Sequence, residues 1–210
     1  PPEANYIKKW GSYSMANSLA ILRRTFAKHG RPNMPVWYTE GGWTINKEDG
    51  GAYDAKKETV PLLVHAAYTC RYYAMAVRLG VECVTVMFIT DTDGHAGGHF
   101  DRLRDFAWRP TAHAVQTMID QMPHPGLEGI QADGQNRDFI YDFKSDVSNP
   151  DSSVVTMAYR IGGPKTVAIA APYGRVIITD MLGESVEKDV ENGVVETEIG
   201  IYPVYIREAE

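Results

Sequence analysis

Pro35-Val36-Trp37-Tyr38-Thr39-Glu40-Gly41-Gly42-Trp43 is a short apolar run that ends on a carboxylate and two glycines. The run has the length and β-prone composition of a buried strand. The glycines mark the loop into which it opens. Glu40 therefore stands at the strand's C-terminal end, where the backbone leaves room around it. In alternating strand–helix architectures that end is the functional face. A glutamate in this place either does chemistry or merely caps the strand or pairs with an arginine, and position alone favours neither.

The flanking sequence supplies the helices. Met15, Leu19, Leu22 and Phe26 follow the i, i+4, i+7, i+11 spacing of a helix face, and His29-Gly30 with Pro32 stops it. After a polar, Gly-rich stretch at 46–58, Val60, Leu63, Val64, Ala67, Ala74 and Val77 predict a second helix, closed by Gly80. Residues 81–90 (VECVTVMFIT) predict a second buried strand and 91–108 a loop. Pro110 then opens a third helix over 110–121, as proline does in a first helical turn. Helix, strand, helix, strand, helix is the order of a parallel sheet covered by helices.

Beyond Pro123-His124-Pro125-Gly126 the pattern changes. Short β-prone runs at 139–143, 154–159, 166–170, 175–179, 194–199 and 203–206 are separated by turn signals such as Asn149-Pro150, Gly162-Gly163-Pro164 and Asn192-Gly193. Strands at such spacing predict an antiparallel sandwich or barrel. The acidic stretch 184–191 reads as a solvated loop of that domain.

Composition excludes some partners. The 210 residues are 44% hydrophobic and 23% charged, enough to bury a core, and the net charge of −6 argues against non-specific binding to nucleic acid or anionic membrane. No stretch approaches the roughly 20 apolar residues of a membrane span. Cys70 and Cys83, the only 2 cysteines, form no disulfide framework, and their apolar surroundings suit buried free thiols. The chain opens on Pro1-Pro2-Glu3, neither an initiating methionine nor a signal peptide, so a processed terminus or a piece of a longer chain is expected.

The stretch 35–43 resembles the seventh-strand motif of the large clan of retaining glycoside hydrolases built on (β/α)8 barrels. There the glutamate of a W-x-T-E-x-G-W-like segment is the nucleophile. Residues 13–29 and 59–79 look like the helices on either side of that strand, and 81–90 looks like the eighth strand. Residues 110–121 look like the closing helix, with Arg109-Pro110 as its opening step. Asp180-Met181-Leu182-Gly183 and Ile201-Tyr202-Pro203-Val204-Tyr205-Ile206 resemble the D-x-x-G and P-x-Y-(I/V) pattern of the β-sandwich appended to many such barrels. The resemblance implies an α/β plus all-β chain. Its 1–125 would be the last two strands and three helices of a (β/α)8 barrel, and its 126–210 an antiparallel β-sandwich.

The implied chemistry is double displacement. Glu40 attacks the anomeric carbon, while a second carboxyl about 5–5.5 Å away protonates the leaving oxygen and then activates water. Two carboxylates suffice, so no cofactor is implied. In the family the acid/base glutamate follows an asparagine on the fourth strand, upstream of the nucleophile. Here the only earlier carboxylate is Glu3. The first six strands are then the missing partner, supplied by a second polypeptide or an upstream segment, and this chain alone is not expected to hydrolyse glycosides. The implied substrate is an oligo- or polysaccharide or a small glycoside.

Other residues carry two readings each. Trp43 offers a flat face to a sugar ring or packs against its loop. Tyr38 lines the site beside Glu40 if no bulge intervenes, and Trp37 belongs to the core. Asp91, Asp93 and His95, in the loop after the second strand, are placed to hydrogen-bond sugar hydroxyls. The same residues with His99 hint at a calcium or zinc site, but the remaining ligands are missing, and a polar substrate loop is favoured over a metal. His65 and His113 read as structural. A competing class is a non-catalytic carbohydrate-binding or interaction protein built on the sandwich, with the barrel segment a relic. A complete flavodoxin-like domain is disfavoured, since no phosphate-cradling Gly-rich turn opens a helix.

Overall fold

The structure, a computed structural model, describes residues 15–39, 41–45, 59–86, 89–90 and 97–209. Its first part runs α1 (Met15–Lys28), β1 (Trp37–Tyr38), β2 (Thr44–Ile45), β3 (Thr59–Val60), α2 (Leu62–Arg78), β4 (Cys83–Val84), β5 (Phe100–Asp101), β6 (Ala107–Trp108) and α3 (Pro110–Gln121). Strands follow: β7 (Gly126–Asp133), β8 (Asp138–Lys144), β9 (Val154–Arg160), β10 (Lys165–Ala170), β11 (Arg175–Thr179), β12 (Ser185–Asp189), β13 (Val194–Ile199) and β14 (Val204–Glu208). The three helices lie where apolar spacing and Pro110 predict them.

The two apolar runs pair in parallel, Trp37 with Cys83 and Tyr38 with Val84, but the ladder takes in only these residues. A second short parallel pair joins Thr44 to Thr59 and Ile45 to Val60. Trp37, expected in the core, is 67% exposed. The cause is local: β1 has β4 as its one neighbour in its sheet, and no described residue covers its outer face. Leu22 of α1 is exposed as well, so that helix buries only Met15 and Leu19. None of the described helices is long and apolar enough to cross a membrane.

Strands β12-β11-β14-β9-β8-β7, in that order, form a six-stranded sheet, antiparallel at every pairing. Alternation along its strands sorts two cores. Tyr141, Phe143, Val155, Met157, Tyr159 and Tyr205 face the helices and pack on Ala66, Ala67, Cys70 and Ala74 of α2 and Ala114 of α3. Alanine at the contact lets α2 approach the sheet closely, so large aromatic rings on the strands fill the space between. On the other face Ile140, Ala158, Ile178 and Ile206 meet Ile169, Val195 and Ile199 from the antiparallel ribbon β10–β13. The layers are therefore helices, sheet and ribbon.

Two strands of the six-stranded sheet had no signal in the sequence, and β5 and β6 form a short hairpin within the stretch 91–108 read as a loop. In β7 the register with β8 slips twice, between Leu127 and Gly129 and again between Ile130 and Ala132, which destroys period-2 alternation. Within the acidic stretch read as a loop, residues 185–189 form β12, exposed along its whole length at the sheet's edge. Charged side chains are what an unpaired edge requires. Polar clamps fix the layers: Arg78 of α2 pairs with Asp133 of β7, which also accepts a 2.8 Å bond from the Tyr141 hydroxyl.

Candidate functional site

β1 ends at Tyr38, two residues before Glu40 in the sequence. The strand's exit is fastened to β4. The Glu82 N–H donates to the Val36 carbonyl (3.1 Å), the Thr85 N–H to the Tyr38 carbonyl (2.9 Å) and the Thr85 hydroxyl to the Thr39 carbonyl (2.6 Å). Tyr38 turns to the helix side, packing on a small core of Met15, Tyr72, Met75 and Ala76, and its hydroxyl donates to the Met15 carbonyl at 3.1 Å. Burial raises its pKa, opposed in part by a hydrogen bond with Ser18.

Helix α2 is the floor of this region. His65, Tyr68 and Tyr72, at i, i+3 and i+7, occupy one face of it. Trp43 meets the Tyr68 ring edge-on at 5.3 Å and the Tyr72 ring at 5.9 Å between centroids. Such aromatic pairs are worth ~0.5–1.5 kcal/mol each beyond their burial, so Trp43 is held in the half-buried position it takes. Two glycines fit the loops onto this floor. A Cβ on Gly41 would strike the Tyr72 phenol, and one on Gly97 would strike the Trp43 carbonyl oxygen and lie 3.7 Å from His65 Nε2. His65, buried as expected of a structural histidine, has Nδ1 2.7 Å from the Thr111 hydroxyl of α3.

Beyond the second strand, Thr90 bridges to Phe100, and the Phe100 N–H donates to the Ile89 carbonyl at 3.1 Å. This roots the β5–β6 hairpin at the same end of the strand pair. Asp101 and Arg109 are both buried at its base, 3.6 Å apart, and Arg109 also donates to the Gly98 carbonyl at 3.4 Å. The hairpin turns through Asp105 and Phe106, both with left-handed backbone (φ 53° and 57°). Its aromatics Phe106 and Trp108 stay exposed. Burial holds the His99 imidazole below its ordinary value.

Of the sequence-predicted site residues, Trp43 and Tyr38 thus converge on α2. Glu40, Asp91, Asp93 and His95 lie outside the described residues. Among the described residues no three His, Cys, Asp or Glu side chains gather as a metal site would require. Sequence reasoning missed Tyr68, Tyr72 and Gly97 as the frame around Trp43. The i, i+3, i+7 spacing of His65, Tyr68 and Tyr72 was the available signal for the first two.

No protein-family profile matches the sequence, and no curated protein does. Among solved structures, a family 39 glycoside hydrolase from the gut symbiont Bacteroides cellulosilyticus WH2 superposes with a TM-score of 0.71 at 18% identity, over 98% of this chain and 41% of that one. SrfJ from Salmonella typhimurium covers 90% of the chain and 38% of its own at 10% identity, with a TM-score of 0.48. The chain thus spans less than half the length of the solved proteins it matches. At this identity the first likeness is one of fold: nearly all of the chain is similar to part of a glycoside hydrolase.

Proposed function

We propose that this chain is the C-terminal part of a retaining glycoside hydrolase, with Glu40 as its nucleophile. The observation that carries the reading is the place of Glu40 in the sequence, two residues after the end of β1. Around the end of β1 lie a parallel strand pair, the aromatic floor of α2 and a hairpin bridged through Thr90. The fold likeness to a glycoside hydrolase over 98% of the chain supports it.

In this reading one Glu40 oxygen bonds to the anomeric carbon as the glycosidic C–O bond breaks. The leaving oxygen takes a proton from an acid supplied by the upstream barrel half. That group, now a base, then draws a proton from water, which attacks the same carbon and releases Glu40. Trp43 offers the sugar its free face, and Asp91, Asp93 and His95 hydrogen-bond its hydroxyls. The exposed Trp37 and Ile89 lie where the upstream half packs.

The test is labelling by a 2-deoxy-2-fluoro glycoside of the chain joined to its upstream half. A covalent mass increase on the peptide carrying Glu40, lost in Glu40→Gln, is expected. Turnover that survives Glu40→Gln would end the proposal.

A further inference from the structure

The ribbon side of the sheet, away from α2 and the loops it carries, holds a cleft of about 320 Å3. That is at the small end of ligand pockets, which run from ~300 to 1,000 Å3. Its position explains the double irregularity of β7. In the pairing of β7 with β8, Gly129 faces Asp142 directly after Leu127 faces Phe143, and Ala132 faces Ile140 directly after Ile130 faces Tyr141. The two residues left over are Glu128 and Gln131, and both line the cleft. A bulge bends its strand and re-aims a side chain. Two bulges on one strand deliver two polar side chains to one place.

The polar groups there are ordered. Gln131 is gripped at both ends by Ala170 of the ribbon, accepting from its N–H at 2.9 Å and donating to its carbonyl at 3.2 Å. It also donates to both Asp142 oxygens at 3.0 and 3.2 Å, while the Thr156 hydroxyl donates to Asp142 at 2.6 Å. A Cβ on Gly129 would come within 3.1 Å of Asp142 Oδ2, so glycine keeps the approach to that carboxylate open. Pro172 and Tyr173 form a wall, and Val154, Ala171 and Ile206 add apolar surface. Burial, with the charges of Glu208 and Asp142, raises the Tyr173 pKa and keeps its hydroxyl protonated.

The lining thus combines a flat ring, apolar surface, and carboxylates that only accept hydrogen bonds, with no cationic side chain. A pyranose, with an apolar face and hydroxyl donors at its edge, fits such a lining. We infer that this cleft is a second, non-catalytic glycan site that seats one sugar ring of a neutral oligosaccharide against Tyr173, with its hydroxyls donating to Asp142 and Glu128. The inference rests on the glycoside hydrolase reading for its choice of sugars and places the contact on the face of the sheet away from α2.

The test is a titration of the isotope-labelled 210-residue chain with cellotriose, xylotriose and mannotriose, followed by amide NMR, with spermidine as a cationic comparison. Shifts confined to Gly129, Ala170 and Tyr173 with at least one trisaccharide are expected. Tyr173→Ala should weaken them by about tenfold, the upper end of what one aromatic contact supplies. Glu128→Gln, a change at an exposed position that leaves folding intact, should weaken them as well. No shift with any sugar, a response to spermidine in their place, or wild-type binding by both variants would overturn the inference. Labelling of Glu40 is read separately: labelling without shifts removes the cleft alone, and shifts without labelling remove the nucleophile alone.

Discussion

The guanidinium carbon of Arg71 lies 4.9 Å from the centre of the Tyr159 ring, with both residues fully buried between α2 and the six-stranded sheet. The same group lies 5.1 Å from the Tyr68 ring and donates to the Ile201 carbonyl at 3.4 Å. Since Tyr68 also carries the edge of Trp43, one buried cation connects the sheet to the loop after β1.

Arg71→Lys keeps the charge but loses the planar stacking on two rings, and should cost about 1–2 kcal/mol. Arg71→Ala also empties the space and should cost about 3–5 kcal/mol, in line with other large core truncations. Urea unfolding of both variants checks the order. Equal and negligible losses would mean that the two rings do not hold this group.

Gly97→Ala should destabilise the chain by about 1–3 kcal/mol, the range for forcing a methyl into a packed site. It should also shift the indole N–H signal of Trp43, because the added Cβ meets the Trp43 carbonyl. Gly174→Ala, where nothing lies within 4 Å, is the control and should be neutral in the same melts.

The two thiols should react differently. Cys70 is buried in the shared core, and Cys83 is only half-buried in β4. Thiolate is the reacting form, and burial pushes the Cys70 thiol up to about 12. A native-state thiol titration with an aromatic disulfide should therefore modify Cys83 and spare Cys70, which becomes reactive only in denaturant. Fast modification of Cys70 in the native chain would contradict the packing of α2 on the sheet.

Alkaline pH should loosen both cores on which α2 packs. Cys70 has a folded pKa of about 12 against an ordinary 9.0, and Tyr72 about 12 against 10.0, both through burial. Because the folded values are raised, the unfolded chain loses these protons first. Their contribution is complete below pH 9 and is lost as pH rises towards 12. By about pH 11 Cys70 alone should cost on the order of 2 kcal/mol, visible as a falling urea midpoint. Cys70→Ala should flatten that decline.

The legible parts of the fold were those with a strong local period or a fixed turn. Met15 and Leu19, Val64 and Ala67, and Pro110 located the helices, and Asn192-Gly193 marked a turn whose two residues both have left-handed backbone. β7 stayed hidden because Glu128 and Gln131 interrupt its alternation, and β12 because an edge strand of charged residues carries no apolar signal. The exposure of Trp37 was invisible for another reason: an apolar strand reads as core whether or not its neighbours are present. Around the candidate site, Trp43 could be named from sequence. The helical spacing of Tyr68 and Tyr72 put the two rings on one face of α2, but their contact with Trp43, distant in the chain, is made only by the fold.

One core joins Ala66, Cys70 and Ala114 to Tyr141, Phe143 and Tyr205. Severing the chain near Gly126 would therefore strip two helices of the rings that keep them dry, and would leave a six-stranded sheet with one greasy side bare. Neither product of such a cut should be soluble alone. Any transplant of this sheet onto another scaffold must carry α2 and α3 with it.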